Sequence, residues 1–217
     1  MTGAAGARSR TAVRRSPERQ VTDRHALDAV LDAGLVAHVA IVDDGQPYAL
    51  PVGYARDGDR VLIHGSTGSR LFRLLATGVP ASLTVTLLDS LVLARSAYES
   101  SMGYRSAMVL GRFSELTGEE KDEAYQAITE GMLPGRWADI RPPSRKEDAA
   151  TMVLALPLAE WSVKINPGVV EDAPEDADST DWAGVVPLEV HFGTPEPDER
   201  AVGTAAPAYI AQWVDRR

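Results

Sequence analysis

The segment His64-Gly65-Ser66-Thr67-Gly68-Ser69-Arg70 gathers the residue types that bind anions. Val61-Leu62-Ile63 before it reads as the end of a strand, and the apolar residues 71, 72, 74 and 75 after it read as a helix over 67–77. A strand, a small polar turn and a helix with arginine in its first turn can hold a phosphate. Backbone N–H groups and the positive end of the helix dipole attract the charge. Hydroxyls donate further bonds, and arginine adds a planar fork. The same residues also make an ordinary strand-to-helix turn with a Ser or Thr cap, and the turn alone does not choose between the two.

Three further groups carry cations or aromatics. In Met102-Gly103-Tyr104-Arg105-Ser106, strand alternation puts Tyr104 and Ser106 on one face and Arg105 on the other. That suits polar contacts to a flat heteroaromatic ligand, or simply a strand start with an exposed arginine. In Trp161-Ser162-Val163-Lys164, Lys164 interrupts an apolar strand and faces either a ligand or solvent, while Trp161 suits a core. In Pro134–Pro143, two arginines and a tryptophan make a lid or, the favoured reading, a loop held by Arg–Asp pairing. His64 beside Ser66 lacks the elbow and oxyanion arrangement of a hydrolase, and Glu119-Glu120 is a first-turn charge pair rather than a catalytic dyad.

Composition bounds the classes. The chain has 217 residues, 44% hydrophobic, with a formal charge of −9, which argues against non-specific nucleic-acid binding. Without cysteine there are no disulfides, no thiol catalysis and no cluster ligation, as fits a cytoplasmic protein. The four histidines, His25, His38, His64 and His191, lack ligand-like spacing, so zinc is not expected. Residues 1–20 carry five arginines and read as a disordered basic tail; no apolar segment of signal length follows Arg14-Arg15.

The positioning elements follow in order. A helix capped by Thr22 or Asp23 runs to Ala33. Strands 35–42 and 47–56 flank an Asp43-Asp44-Gly45 hairpin turn, and a third strand covers 60–64. After the helix, strands are expected over 80–88, with 91–96 continuing it past a bulge or turn at Asp89-Ser90, and over 104–113. Thr117 caps a helix to Met132; Ser144–Ala149 is a helical turn; Thr151–Ile165 is one long strand, bent at Pro157. Residues 171–181 form an acidic loop, 182–188 return to the body, and 207–215 form a terminal helix. The series gives a mainly β domain over 21–166, a closed antiparallel barrel with inserted helices, followed by an extension over 167–217.

These segments together resemble the pyridoxamine 5′-phosphate oxidase-like family of flavin-nucleotide-binding proteins, in the branch of nitroimidazole-resistance proteins. The carriers are Ala49–Ala55, His64–Arg70, Tyr104-Arg105-Ser106 with Gly111-Arg112, Pro134–Trp137 and Trp161–Lys164, within 21–187. The resemblance implies an FMN-binding split β-barrel, with FMN at the seam of a homodimer. It implies that Ser69 and Arg70 meet the phosphate, with Ser66 and His64 nearby. Pro51, Val52, Gly53 and Tyr54 would flank the ring or the ribityl chain. Tyr104, Arg105 and Ser106, with Trp161 and Lys164 from the partner subunit, would reach the flavin. An Arg-x-x-x-Leu-Lys pattern is missing from the second strand, which disfavours vitamin B6 oxidation. The implied function is a flavin-dependent oxidoreductase working with a small substrate and NAD(P)H. The alternatives are a flavin or haem carrier or sensor, or a deazaflavin F420-dependent reductase.

Overall fold

The computed structural model describes residues 10–215. A short strand, β1 (Gln20–Val21), precedes helix α1 (Arg24–Ala33). The Asp23 carboxylate caps α1 by accepting from the His25 N–H at 3.0 Å, and Leu27, Val30 and Leu31 form its buried stripe. Asp44 and Gly45 both have positive φ, 49° and 74°, and make the two-residue turn that joins β2 (Val36–Asp43) to β3 (Gln46–Asp57). Gly58, at φ 55°, turns the chain into β4 (Arg60–Ser66). Then come α2 (Arg70–Ala76), β5 (Pro80–Leu93), β6 (Ser101–Arg112), β7 (Ser114–Glu115), α3 (Glu119–Met132), α4 (Arg145–Ala150), β8 (Thr151–Pro157), β9 (Glu160–Asn166) and β10 (Gly184–Pro187).

The strands form one sheet in the order β1-β9-β6-β5-β2-β3-β4-β8-β7, with β10 added to β5. The barrel closes because β6 runs through buried Phe113 into β7, which pairs with β8. Its interior holds Val39, Ile63, Leu83, Val109, Leu154 and Leu156, plugged by residues of α1 and α2. A second core lies outside the barrel. There Ala124, Tyr125 and Ile128 of α3 cover Leu62, Val153 and Ala155. That is why β4 and β8 read as continuous apolar runs: both faces are buried.

Several expectations change. The stretch 151–165 is two strands: β8 pairs with β4, β9 with β6, and between them the Leu158 N–H donates to the Asp59 carbonyl at 2.8 Å. Gly118, at φ 59°, replaces Thr117 as the residue that starts α3. The terminal segment Ala208–Asp215 is a 3-10 helix. Residues 1–9 of the expected basic tail lie outside the described residues. Residues 10–20 lie on the barrel: Arg10 pairs with Glu160, and Gln20 enters the sheet opposite Lys164. The return of 182–188 is seen in the β10–β5 ladder. Asp89 is the bulge, where the β5–β6 register shifts between Leu88 and Ser90.

Candidate functional site

The barrel opens along one seam. Residues 46–53 of β3 pair only with β2, and 54–57 only with β4. At the far end of β4, His64, Gly65 and Ser66 pair only with β8. No ladder joins 46–53 to 64–66, so two strand edges flank an opening. The expected residues Pro51, Val52 and Gly53 lie on one side and His64 and Ser66 on the other. Two glycines let helices approach it: a Cβ on Gly65 would lie 2.4 Å from the Phe72 ring of α2, and one on Gly53 3.0 Å from Met132 Cε of α3.

The polar turn is largely self-satisfied. Ser66 Oγ accepts from the Gly68 N–H at 3.1 Å, the Ser66 carbonyl from the Ser69 N–H at 2.9 Å, and the Ala150 carbonyl from the Thr67 N–H at 3.0 Å. Ser69 occupies the N-cap of α2, but its hydroxyl makes no capping bond. Arg70 is engaged: Nε donates to Asp43 Oδ2 at 2.8 Å, Nη2 donates to the same oxygen, and the guanidinium lies 4.7 Å from the Tyr48 ring centroid. Asp43 raises the Arg70 pKa. The arginine remains 60% exposed, so an anion reaches it by sharing or displacing Asp43. Asp43 and Tyr48 are the residues that sequence reasoning missed. Their only signal was a hairpin turn, which says nothing of Arg70.

His64 has no side-chain hydrogen-bond partner among the described residues. It keeps an exposed edge, while the protein beneath it desolvates the imidazole and lowers its pKa. It is therefore neutral at pH 7, with both ring nitrogens uncommitted.

Tyr54 is a core residue, and Trp161 is partly buried against the same core. Tyr54 is 2% exposed, and its hydroxyl donates to the Leu31 carbonyl at 2.6 Å; register carries its side chain inside the barrel, away from the opening. Trp161 pairs with buried Val109 and packs on the same core.

The remaining residues lie on β6 and β9 but on both faces of the sheet: Ser106 shares a row with Lys164, and Arg105 takes the opposite face. Ser106 faces Lys164 across the ladder and donates to its carbonyl at 3.3 Å; Lys164 Nζ donates to the Arg15 carbonyl at 3.2 Å. Tyr104 pairs with Asn166. Arg105 makes a fork with Asp89 at 2.7 and 3.0 Å, which the bulge makes possible and which raises the Arg105 pKa. Arg105 lines a cavity of about 660 Å³ with Val36, Leu87, Leu88 and, from the extension, Leu188 and His191. Val36 starts β2, whereas Asp43 ends it and holds Arg70. Seven steps of about 3.3 Å separate them by about 23 Å. The expected residues are therefore spread along β2: Arg70 is held at its Asp43 end, whereas Gly53 pairs with Val36 at the end that lines the Arg105 cavity.

The loop 133–143 is held chiefly by Glu130 rather than by the expected Arg–Asp pairing, and Arg141 pairs with Glu147. Glu130 accepts from the Gly135 and Trp137 N–H groups at 2.7 and 2.9 Å, and Arg136 lies 3.9 Å from Asp139.

Residues 23–165 match the family model described as pyridoxamine 5′-phosphate oxidase. The chain belongs to this family. Among solved structures, the FAD and haem binding protein from Mycobacterium smegmatis is 44% identical, with 90% of this chain and 97% of that one covered and a TM-score of 0.87. The flavocytochrome Anf3 from Azotobacter vinelandii is 39% identical, covering 94% and 95%, also at 0.87. A putative 5-nitroimidazole antibiotic resistance protein from Bacteroides thetaiotaomicron is 21% identical over 67% of this chain and 86% of that one, at 0.58, and so shares the fold. No curated protein matches the chain. The family model stops at residue 165, whereas the first two structures match well into the extension. No helix among the described residues is long and apolar enough to cross a membrane.

Proposed function

We propose that this chain is a two-cofactor redox protein: it holds a flavin nucleotide at the opening between β3 and β4, and a haem on His64. It would take electrons from a reduced nicotinamide and deliver them to a small acceptor. The observation that carries the reading is His64, a partly exposed imidazole with no side-chain hydrogen-bond partner among the described residues, on a stretch of β4 that pairs on one edge only, with β8. A ring nitrogen in that state is an available iron ligand. The 44% identity to a protein named for both FAD and haem supports the same pair here.

The donor set fits a flavin in part. Arg70 and the uncapped first turn of α2 suit its phosphate, and Pro51–Gly53 offer a flat, largely apolar edge. About 23 Å along β2 separates the Arg70 end from the Arg105 cavity, whereas Gly53 pairs with Val36, which lines that cavity. A homodimer, in which a second copy brings its Arg105 cluster to the Arg70 end, is part of the proposal. When bound, a flavin supplies hydride and electron transfer and haem an iron centre; the protein supplies orientation and exclusion of water. Arg70 balances phosphate charge, and His64 fixes the iron.

The test is spectroscopic. Protein reconstituted with haemin and with FMN or FAD should show both sets of bands, and His64→Ala should lose the haem bands while keeping those of flavin. Wild-type protein that takes up neither overturns the proposal. A His64→Ala variant with unchanged haem binding overturns the assignment of the ligand.

A further inference from the structure

A second hollow, of about 440 Å³, lies on the outer face of the sheet over β2, β5 and β6, away from the Arg105 cavity. Sheet register builds it. Val42 pairs with Pro47, Ser82 with Leu110 and Pro80 with Arg112, so these side chains fall in adjacent rows on one face. Val42, Pro47 and Leu110 make an apolar floor. Arg112 stands at the rim, bonded to the Gly78 carbonyl and paired with no carboxylate among the described residues. Arg10 closes the other side, held over the face by Glu160 at 2.5 and 3.0 Å. In a chain of net charge −9, a flat apolar floor with an uncompensated arginine at its edge selects a ligand with an aromatic body and an anionic group. The hollow and the phosphate end of the proposed flavin site meet at the end of β2, on opposite faces: Val42 lines the hollow, and the next residue, Asp43, holds Arg70.

We propose that this hollow binds an adenylate moiety, with adenine on the Val42–Pro47–Leu110 floor and phosphate toward Arg112. The inference rests on the flavin reading for the identity of the whole ligand, because an adenylate comes either from FAD or from a nicotinamide dinucleotide donor.

ADP alone probes the hollow without flavin. Calorimetry on the full chain should detect ADP binding, weakened about tenfold in Arg112→Gln, as for the loss of one charge-assisted hydrogen bond. Leu110→Trp, which fills the floor, should abolish it. Two further arms identify the source. If FAD supplies the adenylate, both variants weaken FAD binding and leave FMN binding unchanged. If the donor supplies it, FAD and FMN bind as before and the NADPH concentration for half-maximal flavin reduction rises. Wild-type protein that binds ADP but neither flavin keeps the hollow and sinks the flavin reading. Absence of ADP binding, equal losses for FMN and FAD, or a Leu110→Trp change in oligomeric state with ADP binding intact would each overturn the proposal.

Discussion

At the residue scale, an ion pair already present in the protein decides what Arg70 can do. Its fork is turned to Asp43 and its plane lies on Tyr48, so a phosphate gains only the difference between two carboxylate-like partners. Arg70→Ala should therefore weaken flavin binding modestly, by about tenfold or less. Asp43→Asn, which frees the fork, should tighten it; weaker binding in Asp43→Asn would show that the carboxylate orients Arg70 rather than competing for it. Fluorescence titration with FMN and FAD reads both. Tyr54 gives the opposite lesson. Burial and the charge of Asp32 hold its pKa well above the usual 10. The folded state then keeps a proton that the unfolded chain releases from about pH 10 upward, so stability declines as pH rises through that range. Tyr54→Phe should remove this alkaline slope. At neutral pH it should cost about 1–2 kcal/mol, for the Leu31 carbonyl left without its donor. Denaturant melts at pH 7 and pH 11 measure both effects, with flavin affinity unchanged.

At the element scale, the opening depends on close approach at glycine. Gly65→Ala would push a methyl into the Phe72 ring, and overpacking there should cost about 1–3 kcal/mol and disturb β4 and α2 together. Thermal unfolding with and without flavin should show the loss in both states. Much of this scale was legible from residue order. The cap of α1, the two-residue hairpin, the Asp89 bulge and the turn after Ile63 all follow from local chemistry: a side-chain acceptor, positive φ, an interrupted alternation. Residues 151–165 misled because both strands read as one apolar-rich run; Pro157, which reads as a bend within it, is where β8 ends and the chain passes from β4 to β6. Tyr54 misled for a different reason. Aromatics serve a core and a cofactor equally well, and only register tells which face they take. Asp43 could not be assigned, because its partner is 27 residues away across a helix cap.

At the scale of the whole molecule, the C-terminal extension ties separate parts of the barrel together. β10 lengthens the sheet on β5, and Leu188–His191 wall the larger cavity. Further on, Trp213 Nε1 donates to the Pro134 carbonyl at 3.1 Å and Tyr209 to Asp139 at 2.8 Å, with Phe192 edge-on to Trp213. Trp213→Ala should free the last segment without opening the barrel: proteolysis between 192 and 207 should quicken while the melting temperature of the barrel changes little. A large drop in melting temperature would instead make the extension part of the core.

The first strand of the sheet has a consequence for how the molecule is made. Gln20 pairs with Lys164 and Val21 with Val163, and β4 waits for β8 in the same way. During synthesis the early strands leave the ribosome long before their neighbours exist, so the sheet cannot close until about residue 166 has emerged. Such distant pairing makes folding slow and leaves unpaired edges exposed in the interval. Chains released short of that point should be captured by chaperones or aggregate, whereas those that stop just beyond it should already hold a closed barrel.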